Sequence, residues 1–388
     1  MAKPGALTMR LLLLTNEYRP VNGGIATYCH ALISELAACG HEVAVVAAAK
    51  GGPSSEFDAN EPYLLWRTRE HPWVARRYME RWRVLCRAIE QHRPDWLWAS
   101  DWRPGLLAAL AARRYRLPLV VSAFGSELLP AGKPSWRRYL IQIVMRQARA
   151  IASISHYTKG LLMLTGVPEA AIAVIMPGTR PQPAVDRALA QAEIQARHRL
   201  GSGPLILTLA RLVPRKGHDV LLRALPSIRA TCPDVHYLIA GAGPDRPRLE
   251  QLVQQLGLTR AVTFAGTVPE ADKATYYAAA DLYVLLSRPE PGDVEGFGIT
   301  LLEAAAHGLP IVAGASGGAP DALAGGAAGC LVDPTDVDAV AQAVSQLLTN
   351  PDRAAELGSR AHAHVQEVAN WERAATEFAA LLARAQQT

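Results

Sequence analysis

At 388 residues, half of them apolar, the chain is long for one domain and rich enough in core to build two. Charged residues are 19%, no run of eighteen apolar residues occurs, and the five cysteines (29, 39, 86, 232 and 330) form no C-x-x-C pair; this excludes a spanning helix and a structural zinc and points to a reducing compartment. The net charge of +5 is uneven: residues 1–190 carry 24 Lys and Arg against 14 Asp and Glu, or +10, and the remainder carries −5.

In chain order, Arg10 to Thr15 reads as a buried strand, too short for the core of a signal peptide. The loop Asn16 to Gly24 ends in Asn22-Gly23-Gly24. A helix from Ile25 to Ala38, closed by Gly40, leads to a strand at His41 to Ala48. This is a βαβ opening with a glycine pair between strand and helix, where a phosphate can meet the helix N-terminus. Helices follow at 73–91, 104–115, 134–150 and 157–164, with strands at 96–99, 117–123, 151–155 and 172–176. Residues 181–203, with Pro181, Pro183, Gly201 and Gly203 around a short polar helix, read as the connection between domains.

The second half restarts the alternation. A strand at 205–210 runs into Arg211-Leu212-Val213-Pro214-Arg215-Lys216-Gly217 and a helix to Ala230. A strand at 235–240 ends in Gly241-Ala242-Gly243, which is no dinucleotide fingerprint because Arg246 stands at the third glycine position. Strands at 261–264, 282–286 and 311–313 alternate with helices at 246–256, 269–280 and 298–307, and helices at 336–348, 351–367 and 371–386 close the chain. The fold class is α/β: two doubly wound, Rossmann-like domains, 1–185 and 186–370, with the helix 371–388 returning to the first. Ligands of such sheets sit at the carboxyl ends of the strands, so the conspicuous loops of both halves are expected to face one central cleft.

The chemistry concentrates in Glu295-Gly296-Phe297-Gly298-Ile299-Thr300-Leu301-Leu302-Glu303, where two carboxylates are separated by seven residues. Gly296 and Gly298 allow a ligand close to the backbone, and the helix that starts near Gly298 presents unpaired N–H groups, a seat for phosphate. Carboxylates accept hydrogen bonds from paired sugar hydroxyls. Arg211 and Lys216 are two cations at a strand end, suited to a diphosphate without a metal. Together these residues describe a site for a sugar joined to a phosphate.

The Arg residues of the first half cluster at 67–93, 103–116 and 133–149, with Trp73, Trp82, Trp96, Trp98, Trp102 and Trp136 among them. Singly they read as solvated helix faces; as a set they fit a peripheral membrane face with anionic lipid. No nucleic-acid motif is present. The expected location is cytoplasmic, with contact to the inner face of a membrane as an option.

The Glu295–Glu303 element, the Arg211…Lys216-Gly217 loop, Asn22-Gly23-Gly24 and Gly241-Ala242-Gly243-Pro244 resemble the family-four retaining glycosyltransferases of GT-B fold. So does the run from Glu303-Ala304-Ala305-Ala306 to Pro310-Ile311-Val312. Asp293 to Gly298 and Ser316 to Asp321 look closest to the phosphatidylinositol mannosyltransferase subgroup. The resemblance spans nearly the whole chain and implies a hexosyl donor that is a UDP- or GDP-sugar. The implied acceptor is a glycan, a lipid-linked sugar or a small molecule, and neither cofactor nor metal is implied. Carried over residue by residue, Arg211, Lys216 and Glu295 are the catalytic set. Glu303 would hold the ribose, and the backbone at Thr267-Val268 the base. Gly23 and Gly24 would close on the diphosphate, and Glu295 with the amides of Gly296, Phe297 and Gly298 would hold the sugar, with Ile299 and Thr300 beside them. Transfer would run on the front face, the diphosphate oxygen helping to deprotonate the acceptor. One departure stands out: the family places a histidine where this chain has Phe124, in Ser122-Ala123-Phe124-Gly125-Ser126-Glu127. Phe124 is therefore expected to line the donor-sugar site. A nucleotide-sugar epimerase of the same fold and a catalytically silent nucleotide-sugar-binding subunit remain open. A phosphorylase-like enzyme is disfavoured, since no lysine setting suits pyridoxal phosphate.

Overall fold

The computed structural model describes residues 8–21, 23–49, 55–129, 135–180, 182 and 185–387. Asn22, Pro134, Pro181 and Pro183, which entered the reading above, lie outside them. The chain divides into two compact units, Met1–Pro177 with Trp371–Thr388, and Gly178–Asn370, so the division falls at 177 and not at 185.

The first unit runs β1 (Arg10–Thr15), α1 (Gly24–Ala38), β2 (Glu42–Ala48), α2 (Ser55–Ala59), β3 (Leu64–Thr68), α3 (Val74–His92) and β4 (Trp96–Ala99). It continues through α4 (Trp102–Tyr115), β5 (Leu119–Ala123), α5 (Ser135–Gln147), β6 (Ala150–Ser153), α6 (His156–Leu164) and β7 (Ile172–Val174). The strands form one sheet in the order β3-β2-β1-β4-β5-β6-β7, every pair parallel. Helices on both faces explain why β1 is an unbroken apolar run: Leu11, Leu12 and Leu13 are fully buried, each worth about 1.5–3 kcal/mol. β3 was not expected from the sequence. It is an edge strand whose Leu64 is exposed, so it lacks that buried run.

The second unit runs α7 (Arg187–His198), β8 (Leu205–Leu209), α8 (His218–Thr231), β9 (His236–Ala240), α9 (Arg246–Gln255), β10 (Val262–Gly266), α10 (Lys273–Ala279) and β11 (Leu282–Leu285). Then come α11 (Ile299–Ala306), β12 (Ile311–Gly314), α12 (Ala319–Ala322), β13 (Cys330–Val332), α13 (Val337–Thr349) and α14 (Pro351–Glu367). Its parallel sheet has the order β10-β9-β8-β11-β12-β13. The three-residue edge strand β13 also escaped the sequence reading. Several helices begin with a side-chain cap: Asp336 accepts from the N–H groups of Asp338 and Ala339 at α13, and Asn350 from that of Arg353 at α14.

The closing helix α15 (Trp371–Gln387) belongs to the first unit. It buries Trp371 against Tyr28 of α1, ring centroids 5.7 Å apart, and Phe378 against Trp98 of β4 at 4.8 Å. In both sheets the strand order reverses beside one central pair, β1 with β4 and β8 with β11. Such switch points open a crevice at the carboxyl ends of the strands.

Candidate functional site

At the second unit's switch point the loop after β8 meets the loop after β11. The main chain joins them: the N–H of Arg288 donates to the carbonyl of Arg215 at 2.9 Å. The Arg288 guanidinium then grips both oxygens of Asp219, at 3.0 and 3.3 Å, near the start of α8. Buried His218 lies 3.3 Å through Nε2 from the Arg211 carbonyl, which fixes that nitrogen as the donor and pins the loop. Burial lowers the His218 pKa to about 4, so the ring is neutral at pH 7.

This stitching delivers Glu295 onto two cations. Its Oε2 accepts from Arg215 at 2.8 Å, from Ser287 Oγ at 2.9 Å and from the Lys216 ammonium. Glu295, Arg215 and Lys216 are 8%, 6% and 9% exposed. Burial by itself would raise the Glu295 pKa, but Lys216 and Arg215 outweigh it and hold the carboxyl at about 2. Arg215 also reaches Asp293 at 3.0 Å. Burial and the neighbouring Arg215 pull Lys216 below the ordinary lysine value, against the attraction of Glu295. The sequence reading had paired Arg211 and Lys216 as the cations of the site. The structure brings Lys216 to Glu295 but joins it to Arg215, while Arg211 lies exposed at the loop's start.

Glu303 sits on α11 apart from this cluster. Its Oε2 accepts from the Tyr277 hydroxyl at 2.8 Å, and Lys273 Nζ lies 3.4 Å from Oε1. The fully buried Tyr277 ring stacks on His307, centroids 5.3 Å apart at 16°. Burial, then nearby His362, lowers the His307 pKa to about 4. The two carboxylates thus differ in setting: Glu295 is saturated by cations, and Glu303 is held from one side at 19% side-chain exposure.

Gly298 caps α11 in the left-handed region at φ 93°, and no side-chain hydrogen bond caps the helix start among the described residues. Ile299 and Thr300 open the helix, while the Phe297 side chain is buried in the core. Gly317 and Gly318 sit directly against the Glu295–Gly298 turn. A Cβ on either would meet the carbonyl oxygen of Glu295 or Gly296 at 2.2 or 2.0 Å, and the Gly318 N–H donates to the Glu295 carbonyl at 2.9 Å. Ser316 is buried there, its Oγ without a partner among the described residues. Val268 follows β10 and is half-buried.

In the first unit, Gly23 precedes α1 in extended backbone and Gly24 opens it. Among the described residues, a Cβ on Gly24 would meet nothing within 4 Å, and one on Gly23 only Glu17 Oε2 at 3.5 Å. Neither needs to be glycine for its own conformation or neighbours. Phe124 is half-buried and meets the edge of Tyr28, centroids 5.3 Å apart at 89°. Part of its surface is therefore committed to packing. Of the six tryptophans read as a membrane-facing set, Trp96, Trp98 and Trp102 are core residues of β4 and the start of α4. Trp73 and Trp136 are exposed at 74% and 59%.

Arg215, Ser287, Asp293 and Tyr277 were missed by sequence reasoning. For Arg215 a signal existed: Asp293-x-Glu295 offers two carboxylates to the adjacent pair Arg215-Lys216. For Tyr277 none did, since an apolar helix position gives no hint that its hydroxyl reaches Glu303.

A profile of glycosyl transferases group 1 matches residues 190–364, and one of Glycosyltransferase Family 4 matches residues 22–182. Over 363 residues the chain is 35% identical to a GDP-mannose-dependent alpha-(1-6)-phosphatidylinositol monomannoside mannosyltransferase of Mycolicibacterium smegmatis, covering 90% of this chain and 91% of that one. A Mycobacterium tuberculosis protein of the same description is 33% identical over 389 residues, covering 96% and 98%. Among solved structures, HepE of Anabaena in complex with UDP and glucose superposes with TM-score 0.80 at 21% identity, over 97% of this chain and 99% of that one. Sucrose-phosphate synthase of Thermosynechococcus elongatus superposes with TM-score 0.82 at 23% identity, over 98% and 99%. With two parallel Rossmann-like sheets and both halves matched, the chain belongs to the family-4 glycosyltransferases of GT-B fold.

Proposed function

We propose that this glycosyltransferase moves mannose from GDP-mannose to a hydroxyl of a lipid-linked acceptor, with retention of anomeric configuration and without a metal ion. The observation that carries the reading is the placement of Glu295 on Lys216 and Arg215 at the β8/β11 switch point, eight positions before Glu303 on α11. The choice of mannose, GDP and a lipid-linked acceptor rests on the activity named for the mycobacterial relatives.

In this reading the diphosphate lies on Lys216 and the exposed Arg211, with the first N–H groups of α11 at Ile299 and Thr300 facing it. Glu303, steadied by Tyr277, takes the ribose hydroxyls, and the main chain at Val268 meets the base. Glu295 and the amides of Gly296, Phe297 and Gly298 hold the sugar. The C1–oxygen bond to the diphosphate breaks as the acceptor oxygen bonds C1 on the same face, and the acceptor proton passes to the leaving diphosphate. Lys216 and Arg211 stabilise the charge that develops there. Phe124 supports a second reading, a binding subunit without turnover, because a phenyl ring neither donates a hydrogen bond nor carries charge.

A panel of GDP-, UDP- and ADP-sugars read by thermal shift tests the donor. A ligand of the native state at a hundred times its Kd adds about 2.7 kcal/mol. GDP-mannose is expected to give the largest shift; a larger shift from a UDP-sugar overturns the donor assignment.

The same proposal takes the protein to an anionic membrane surface. Trp73, Val74 and Met79 around the start of α3, and Trp136 and Tyr139 on α5, are exposed beside Arg76, Arg83, Arg87 and Arg138. No helix among the described residues is long and apolar enough to cross a membrane. Co-sedimentation with phosphatidylglycerol vesicles at low salt, lost at high salt, is expected. No co-sedimentation at low salt contradicts it.

A further inference from the structure

Glu295 is one negative charge answered by two cations. Its Oε2 takes the Lys216 ammonium, the Arg215 guanidinium at 2.8 Å and the Ser287 hydroxyl at 2.9 Å. All three bonds end on the same oxygen, and among the described residues none is given to Oε1. A buried carboxylate needs one cation for its charge to be compensated. A second one on the same oxygen repels the first, so its presence calls for a use beyond simple pairing.

The two cations are held differently. Arg215 spans two acids with one planar fork: Nε donates to Asp293 at 3.0 Å while Nη1 holds Glu295. Asp293 is itself fixed in a tight hairpin. The main chains of Glu290 and Asp293 exchange N–H···O bonds of 2.9 and 3.0 Å, with Gly292 turning between them at φ 77°. Arg288 holds the other side of that hairpin by donating to Glu290 at 2.9 Å. Burial works against a charge on Arg215, but Glu295 and Asp293 outweigh it and raise its pKa, so it stays cationic. Lys216 has Glu295 as its one hydrogen-bond acceptor among the described residues. Burial, with Arg215 adding to it and Glu295 opposing, leaves Lys216 below the ordinary lysine value. Of the two, Arg215 is anchored on both sides and Lys216 is the one that can change partner.

We propose that Arg215 is a positioning residue: it holds Glu295 by Oε2 as a stand-in cation, so that Lys216 can turn to the diphosphate without stranding a buried carboxylate, and Oε1 is left for a sugar hydroxyl. The inference rests on the transferase reading, in which Lys216 meets the diphosphate. Were Lys216 the only cation on Glu295, every diphosphate bound would leave that carboxylate uncompensated in a buried place, and binding would be weaker by that penalty. With Arg215 clamped between Asp293 and Glu295 the carboxylate keeps its charge and its aim while Lys216 moves.

The test is a double-mutant cycle on the full chain, read by calorimetric titration with GDP and with UDP. For the nucleotide that wild type binds, Arg215→Gln should weaken affinity about tenfold, the worth of one charged hydrogen bond. Arg215→Gln/Glu295→Gln should return it to at least the wild-type value, because the carboxylate that holds Lys216 back is then neutral. Arg215→Lys should recover part, since it restores the charge without the fork. A residue that only stabilised the fold would leave single and double variants equally weak. If Arg215→Gln does not fold, Arg215→Lys with and without Glu295→Gln completes the same cycle. A second readout needs no nucleotide. The chain has six lysines, so a carbon-13 lysine spectrum resolves Lys216, its signal identified by loss in Lys216→Arg. Arg215→Gln removes a positive neighbour, and Lys216 should then titrate at higher pH than in wild type. Wild-type affinity in Arg215→Gln, no recovery in the double variant, or an unmoved Lys216 titration each overturns the inference. The diphosphate reading fails separately, if wild type binds neither nucleotide while the lysine titration still moves; the pairing of Arg215 with Glu295 then stands.

Discussion

Glu295→Gln removes one negative charge and almost no volume from a cluster that is over 90% buried. Arg215 keeps a partner, Asp293 at 3.0 Å, but that carboxylate is 44% exposed and is worth about 1 kcal/mol or less. Among the described residues Lys216 keeps no carboxylate, because its salt bridge is to Glu295. Breaking a buried pair from one side typically costs about 3–5 kcal/mol, most of it the uncompensated charge. In a domain of this size each kcal/mol moves Tm by about 2–4 °C, so the variant should melt roughly 6–20 °C lower. Affinity for the nucleoside diphosphate should move the other way. With Glu295 neutral, Lys216 has only the diphosphate to pair with, and GDP should bind as tightly or up to about tenfold tighter. Turnover should nevertheless fall by about 10²–10³, because the sugar loses its carboxylate partner. Scanning calorimetry with and without GDP, beside steady-state kinetics, reads all three. A variant with wild-type Tm and wild-type GDP affinity would refute the role of Glu295 as counter-ion to Lys216. Parallel loss of GDP binding and turnover would refute its role toward the sugar.

Lys216→Ala and Arg211→Ala should both weaken GDP binding and lower kcat, Lys216→Ala with the larger stability loss because it leaves Glu295 buried on fewer donors; near-normal kcat in both would place the diphosphate elsewhere. Turnover should survive EDTA, because two cations can stand in for a metal, and among the described residues no three His, Cys, Asp or Glu side chains gather to hold one; loss of activity restored by Mn²⁺ or Mg²⁺ would contradict this. Phe124→His should keep the fold, since Phe124 is half-buried and its T-shaped contact with Tyr28 can be made by an imidazole, and should change kcat or donor preference; unfolding, or unchanged kinetics on every donor, would make the position structural. Stability should fall on acidification from pH 7.5 to 5 by about 2 kcal/mol for each of His218 and His307. Both pKa values are depressed to about 4, so the unfolded chain takes up protons near pH 6.5 while the folded chain does not. Urea unfolding of His218→Asn and His307→Asn should show flatter pH dependence, and an unchanged slope would refute the assignment.

Much of the fold was legible because parallel strands buried on both faces write themselves as apolar runs, as in Leu11 to Leu14 and Leu282 to Leu285. The edge strands β3 and β13 are half-exposed or three residues long, and they carry no such run. In the candidate site, Glu295, Glu303 and Lys216 could be picked out because charge stands out in loops beside glycine. Their pairing could not: which of Arg211 and Arg215 turns inward depends on the backbone of the short helical turn Pro214–Lys216 and on His218 holding the Arg211 carbonyl. The tryptophans misled for a related reason. Trp96 and Trp98 alternate with Leu97 in a strand covered on both faces, so neither indole reaches the surface despite the arginines around them in sequence.

The most direct measurement incubates the full chain with GDP-mannose and a phosphatidylinositol monomannoside acceptor in vesicles, and reads the product by mass and by the anomeric proton–carbon coupling in NMR. The account predicts one added hexose in α linkage, formed in the presence of EDTA and lost in Glu295→Gln. A β-linked product, an epimerised donor with no transfer, or tight donor binding without any product would contradict it.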